Sequence, residues 1–361
     1  ALYRLLKTRH GEKPWPEWDS EYARRDAEAL QGLQTEAAAQ IFETKIIQFL
    51  FFEQWQQLRR YANERSVRLF GDLPIYIALD SADAWAHPEL LQIDRDGRPV
   101  AVAGVPPDYF SEDGQLWGNP LYDWEHHART GYRWWIARVR AAVELCDLVR
   151  IDHFRGFESY WAIPADADTA RHGAWEPGPG DAIFDALRES LGGLPIVAED
   201  LGLITQAVEA LRDRHNIPGM TVLQFAIADP GFNLSDVAEN RICYTGTHDN
   251  DTTVGWFHGS DKDLRTEEEI RTTQQRALAM TNGSPETIHT DLIRAAFSTA
   301  ALLAIVPMQD LLGLGSDARF NTPGTAGGNW RWRVLDSQFT PDICDNVAKQ
   351  VEDANREYNN R

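Results

Sequence analysis

Six short apolar runs punctuate the chain from residue 67 onward, at 67–77, 148–152, 194–199, 220–227, 242–247 and 302–308. An apolar run of this length marks a strand buried on both faces. Segments with three- and four-residue apolar spacing separate most of them. One carries Tyr132, Trp135, Ile136, Val139 and Val143; a second Ile183, Phe184, Leu187 and Leu191; a third Ile204, Val208 and Leu211. Strands alternating with helices predict a parallel sheet, either doubly wound or closed into a barrel. Three runs lead into acids: Asp152 after Leu148-Val149-Arg150-Ile151, Glu199 after Ile196-Val197-Ala198, and Asp249 in Thr247-His248-Asp249-Asn250-Asp251. An acid at the C-terminal end of a parallel strand emerges at the rim where such folds place active sites. Acids from several strand ends favour the barrel, whose closed form has eight strands, two more than are counted here.

The remainder is organised around these runs. Residues 1–66 read as helical, and Glu36 to Glu64 contains neither Gly nor Pro, which predicts one long helix with one or more apolar faces. Residues 80–128 read as a loop-like inserted lobe, with turn signals at Pro88, Asp96-Gly97, Pro106-Pro107, Asp113-Gly114 and Gly118-Asn119-Pro120. A second loop is expected over 165–180. Either Thr205 or Asp200 can begin the helix that follows Glu199.

Composition narrows the function classes. Hydrophobic residues at 43% and charged residues at 25% are ordinary for a globular protein. The net charge of −20 opposes binding to nucleic acid or to an anionic membrane surface and is compatible with a neutral substrate. No run approaches the roughly 20 apolar residues of a membrane helix, and no signal peptide opens the chain. Cys146, Cys243 and Cys344 are scattered, with no zinc spacing, and point to a reducing cytoplasm. Neither GxxxxGK[ST] nor GxGxxG occurs, so no cofactor is expected. Trp117, Trp161, Trp175, Trp256 and Trp330 fall in expected loops, where flat faces can stack on pyranose rings.

Each acid has a chemical and a structural reading. Arg150 and Asp152 share one side of a strand, where a guanidinium favours the ionised carboxylate that a nucleophile requires; from this motif alone a strand-end salt bridge is the reading favoured. Glu199 follows an apolar run, and partial burial would raise its pKa toward that of a general acid; the alternative, a helix N-terminal acid favoured by the dipole, fits Asp200 better. His248 and Asp249 can hold neighbouring sugar hydroxyls or belong to a metal site. Asp72 lines the same rim or is structural. The segment 106–120, with Gln115 and Trp117, reads as a lid over a glucan or as a packed surface loop.

Taken together, six segments resemble glycoside hydrolase family 77, the amylomaltases or 4-α-glucanotransferases. They are Phe70–Tyr76, Gly114–Tyr122, Arg150–Phe157, Ala198–Gly202, Gly246–Thr253 and Asn321–Thr325, in the family's order. The resemblance implies a TIM-type (β/α)8 barrel with inserted subdomains and about six of eight strands present. Residues 1–66 would be a helical segment inserted before the third barrel strand, and 67–361 a partial barrel carrying the lobe at about 80–128. It implies a retaining double displacement with Asp152 as nucleophile, Glu199 as general acid/base and Asp249 as transition-state stabiliser. Asp72, Gln115, Trp117, Arg150, His153, His248 and Asn321 would bind substrate, and no metal would. Donors and acceptors would be α-1,4-glucans and maltooligosaccharides, with glucose as an acceptor. Retention calls for nucleophile and acid/base carboxyls about 5–5.5 Å apart. The family's opening strands precede the segment matched by Ala1–Leu6. A chain beginning there would leave open sheet edges, with low stability and greatly reduced activity expected. An α-amylase-like hydrolase and a catalytically impaired glucan-binding fragment are the alternatives.

Overall fold

The computed structural model describes residues 1–107, 112–261, 263–325 and 327–356. The chain forms two compact units, Ala1–Ile217 and Pro218–Arg361. Among the described residues ten strands are assigned in chain order: β1 Phe70–Pro74, β2 Ala101–Val105, β3 Gln115–Pro120, β4 Leu148–Asp152, β5 Ser159–Pro164, β6 Ala174–Pro177, β7 Ile196–Ala198, β8 Gly219–Val222, β9 Arg241–Tyr244 and β10 Leu303–Ile305.

In the first unit β1, β4 and β7 form a parallel sheet in that order. Asp72 lies opposite Arg150, and Ile151 opposite Ala198. The first unit's main core contains Ile75, Ile151, Ile196 and Ala198 from around this sheet, with Trp135, Val139, Ile183, Phe184 and Leu187 from the helices Arg133–Leu145 and Asp181–Leu191. The second unit has its own parallel sheet in the order β10-β9-β8. Its core joins Cys243 of β9 to Leu292, Ala295 and Ala296 of helix Ile288–Ser298. All six expected strands are therefore present; β4 matches its apolar run, and the other five are shorter than theirs.

The clearest boundary correction is at 220–227, expected as one strand. The strand ends at Val222, and Leu223–Ala226 is a helical turn. Leu223 and Ile227 are buried four residues apart, and a short apolar run does not distinguish strand from helix by periodicity. Thr205 rather than Asp200 caps helix Gln206–Arg214, accepting a bond from the Val208 N–H. Asp200 is instead buried in an ion pair with Arg212.

The segments 80–128 and 165–180 are less loop-like than expected. They supply β2, β3 and β6, which join β5 in a four-stranded antiparallel sheet of order β3-β2-β5-β6. Trp117, Trp161 and Trp175 lie on its strands, and Trp256 lies in helix Thr253–His258; Trp330 alone of the five is in a turn. Asp108, Tyr109, Phe110 and Ser111, part of the expected lid, lie outside the described residues.

The long helix runs from Ala38 to Asn63. Trp55 Nε1 donates to the Leu145 carbonyl at 2.8 Å, and Arg59 pairs with Asp147 at 2.7 Å. Of its apolar residues Ile41 is buried, whereas Phe42, Ile47, Phe49 and Phe51 are about 60% exposed, so much of its apolar surface lies outside the unit's cores. No described helix is long and apolar enough to cross a membrane.

Candidate active site

Register builds the first unit's acidic cluster. On β4, Arg150 and Asp152 are two residues apart and share a face. Arg150 donates to both oxygens of Asp72, Nε and Nη2 each at 2.8 Å, and Nη2 also reaches Asp152 Oδ1 at 3.0 Å. The guanidinium is buried to 9% exposure, while both aspartates remain 43% exposed. Burial opposes its charge, but Asp72, Asp152 and Glu199 outweigh that and raise its pKa.

Glu199 follows β7 as Asp152 completes β4, and the Glu199 N–H donates to the Ile151 carbonyl at 3.0 Å. The two acids thus leave neighbouring strands, whose spacing is about 4.8 Å. Glu199 Oε2 accepts from the His153 N–H at 2.7 Å and Oε1 from the Leu201 N–H at 2.9 Å. Those bonds and Arg150 favour the anion. Burial of the carboxyl, helped by the Asp152 charge, wins and pushes the pKa up to about 7. The residue retains partial exposure, so its carboxyl is enclosed but reachable.

His153 adopts φ 54°, in the left-handed region unusual for a residue other than glycine. This conformation aims its N–H at Glu199 at the end of β4. Burial, helped by Arg155, lowers its pKa to about 3, so the ring is neutral at working pH. Its Nε2 is buried with no hydrogen-bond partner among the described residues. Trp117 meets the ring edge-on with centroids 4.7 Å apart, and Trp117 Nε1 donates to Gln115 Oε1 at 3.1 Å. Tyr76, missed in the sequence, lies 6.2 Å from Trp117 and stacks on Tyr122; it reads there as an ordinary core aromatic. The first unit therefore brings together Asp72, Arg150, Asp152, His153 and Glu199, with Trp117 beside His153 and Gln115 bonded to Trp117.

The second unit brings together His248, Asp249 and Asn321. Asn321 Nδ2 donates to Asp249 Oδ1 at 2.6 Å, and His248 Nε2 lies 3.4 Å from Asp249 Oδ2. Arg319 Nη2 donates to the Asp249 carbonyl at 2.7 Å. Within the turn, Asn250 Oδ1 accepts from the Thr247 N–H and hydroxyl at 2.9 and 2.8 Å. A Cβ at Gly246 would fall 2.7 Å from Gln224 Nε2, so any larger residue there would displace the Gln224 amide. Trp330 packs 5.2 Å from His248 and is half exposed. Arg319 and Trp330 were not singled out by sequence as holders of this turn, and no local spacing announces them. No group of three or more His, Cys, Asp or Glu among the described residues can hold a metal ion.

The family model for 4-alpha-glucanotransferase matches residues 1–338. The chain belongs to the 4-alpha-glucanotransferase family. It is 51% identical to the 4-alpha-glucanotransferase of Synechocystis sp. over 94% of its own length and 67% of that relative's. It is 45% identical to the enzyme of Thermus thermophilus over 95% of this chain and 69% of the other. The chain thus spans about two thirds of these relatives. Among solved structures, an amylomaltase from Streptococcus agalactiae in complex with acarbose superposes with a TM-score of 0.92. It is 39% identical, with 99% of this chain and 72% of the other covered. The fold is accordingly of the amylomaltase TIM-barrel class, and the two parallel sheets supply six strands of it. The activity of a 4-alpha-glucanotransferase is the transfer of α-1,4-glucan segments.

Proposed function

We propose that this transfer proceeds by a retaining double displacement in which Asp152 attacks, Glu199 moves the proton and Asp249 stabilises the transition state. The observation that carries this reading is the contrast between the two adjacent strand-end acids. Glu199 has its pKa pushed up to about 7, whereas Asp152 lies 3.0 Å from a buried guanidinium that favours its anion. Environments that separate two carboxyls in this way assign an acid and a nucleophile.

In the first step Glu199 protonates the glycosidic oxygen. The C1–O bond breaks while a C1–O bond to Asp152 forms, and the shortened glucan leaves with the proton. In the second step a 4-hydroxyl of an acceptor gives its proton to Glu199 and bonds to C1, releasing Asp152. Two inversions give net retention. Asp249, oriented by Asn321 and flanked by His248, would bind hydroxyls of the distorted donor sugar. The neutral His153, with its buried Nε2, would hydrogen-bond a donor hydroxyl. Trp117 and Gln115 would line the acceptor path, and Asp72 would act through Arg150. The acarbose held by the Streptococcus agalactiae relative supports an oligosaccharide site, with maltooligosaccharides as donors and glucose among the acceptors. Three free cysteines fit a reducing cytoplasmic setting.

Incubation with maltotriose tests the reading. Glucose together with maltotetraose and longer products is expected. Glucose and maltose alone would mean hydrolysis and overturn transfer by this chain.

A further inference from the structure

Asp310 is a carboxylate that the mechanism above does not use, yet it is 1% exposed. It lies in the short helix Met308–Leu311, past the end of β10. Three donors converge on it. The Thr253 N–H meets Oδ1 at 2.7 Å, and the hydroxyls of Thr245 and Thr253 meet Oδ2 at 2.6 and 2.8 Å. Thr245 is the residue after β9, and Thr253 opens helix Thr253–His258. Between them lies the turn that carries His248 and Asp249.

Burying a carboxylate is costly, and a hydrophobic residue would fill the place more cheaply unless the hydrogen bonds accomplish something specific. Here they clamp both ends of one turn to a single point. A second layer acts on the same turn. Ser316 donates to Asp251 Oδ2 at 2.7 Å, and Gln224 Nε2 to the Asp251 carbonyl at 2.9 Å. Neither of these contacts ties Thr245 to Thr253; the Asp310 carboxylate does.

We propose that Asp310 is a positioning residue, fixing the 245–253 turn so that Asp249 is presented at the orientation the transition state requires. The inference rests on the role proposed for Asp249. Asp310 itself touches no substrate. Its effect is on kcat rather than on KM, because misplacing a group that acts in the transition state leaves ground-state binding largely intact.

The test compares Asp310→Ala, Asp310→Asn, Thr253→Val, Asp249→Asn and the double variant Asp249→Asn/Asp310→Ala in maltotriose disproportionation by the full chain, per folded molecule. Asp310→Ala is expected to lower kcat about 100-fold with KM little changed, the cost of displacing a catalytic group by about 1 Å. Asp310→Asn should recover most of this, since its carbonyl still accepts from the Thr253 N–H and its amide can donate to hydroxyls that turn to accept. Thr253→Val should cost about fivefold. The double variant should be no slower than Asp249→Asn. Wild-type kcat in folded Asp310→Ala, or losses that multiply in the double variant, would overturn the proposal. Full activity of Asp249→Asn would instead overturn the role given to Asp249. Hydrogen exchange adds a readout independent of turnover. The Thr247, Asp249 and Asn250 amides, all bonded within the turn, should exchange faster in Asp310→Ala, and unchanged protection there sinks the proposal.

Discussion

In the first unit Asp152, proposed above as the nucleophile, is held by a buried guanidinium, whereas in the second the Asp249 side chain is met by the Asn321 amide and the His248 imidazole. Arg150 is buried and faces Asp72 and Asp152 together, so two carboxylates share one fixed cation. Asp249 receives an amide N–H from Asn321 at Oδ1, has His248 Nε2 3.4 Å from Oδ2, and accepts from Arg319 at its backbone carbonyl. Each arrangement protects a different property. A nucleophile needs a defined ionisation state beside a second acid, and a guanidinium provides that without being a proton source. A group that binds sugar hydroxyls needs direction, and a neutral donor fixes direction without neutralising the charge.

Removing the shared cation should break the comparison hardest. Arg150→Met should lower kcat/KM by about 10²–10³-fold, the usual cost of losing one preorganised electrostatic partner. Both aspartates are 43% exposed, so they can hydrate, and the fold should lose little stability. Arg150 also holds the Glu199 pKa down, so the basic limb of the pH–kcat/KM profile should move upward in the variant. A near-normal rate with an unmoved basic limb would show that charge does not hold this cluster.

The next effect is a stability cost stored at Glu199. Its pKa rises from an ordinary 4.5 to about 7 on folding, so the unfolded chain releases this proton first. The contribution is fully present below pH 4.5 and is lost as pH rises through 7, amounting to about 3 kcal/mol. Glu199→Gln removes the titration. It also sets an amide NH2 against the His153 or Leu201 N–H, a cost that does not vary with pH. Unfolding free energies of the two proteins, measured in urea from pH 4.5 to 8, should therefore diverge by about 3 kcal/mol in favour of the variant as pH rises. A constant gap would mean that Glu199 is not held protonated by burial. The wild-type rate should fall along with this deprotonation above about pH 7, because the first step needs the acid.

What could be read from sequence follows the same division. The strand-end placement of Asp152 and Glu199 was legible because each follows a run of apolar residues, whereas Asp249 lies in a turn past Tyr244, the last residue of β9. The Arg150–Asp152 pair was legible because side chains alternate along a strand, but its second carboxylate, Asp72, comes from a neighbouring strand. Only register shows that one guanidinium serves both. The antiparallel sheet was hidden because β2 pairs with β5 across a stretch of chain that includes β3, two α-helices and β4, and because β3 contains Gly118 and Pro120, which read as turns. Asp310 was hidden for a related reason. Its partners lie 57 and 65 residues away, and nothing within Pro307–Leu312 distinguishes a buried anchor from a solvated acid.

The smallest effect separates direction from charge within the second unit. Asn321→Ala deletes the 2.6 Å bond to Asp249 Oδ1 while leaving Arg319 on the Asp249 carbonyl. A hydrogen bond to a charged group contributes about 1.5–3 kcal/mol, so kcat should drop about 10- to 100-fold. Asn321→Asp keeps the shape but places a second carboxylate where the amide donated. If Asp249 depends on a neutral donor, this variant should be slower than Asn321→Ala despite its closer size, because like charges in contact drive one carboxyl toward protonation. Its rate should recover on going to mildly acidic pH, where the introduced carboxyl takes up a proton and can donate again. An Asn321→Asp enzyme faster than Asn321→Ala at neutral pH would mean that a nearby cation holds two carboxylates in the second unit as Arg150 does in the first.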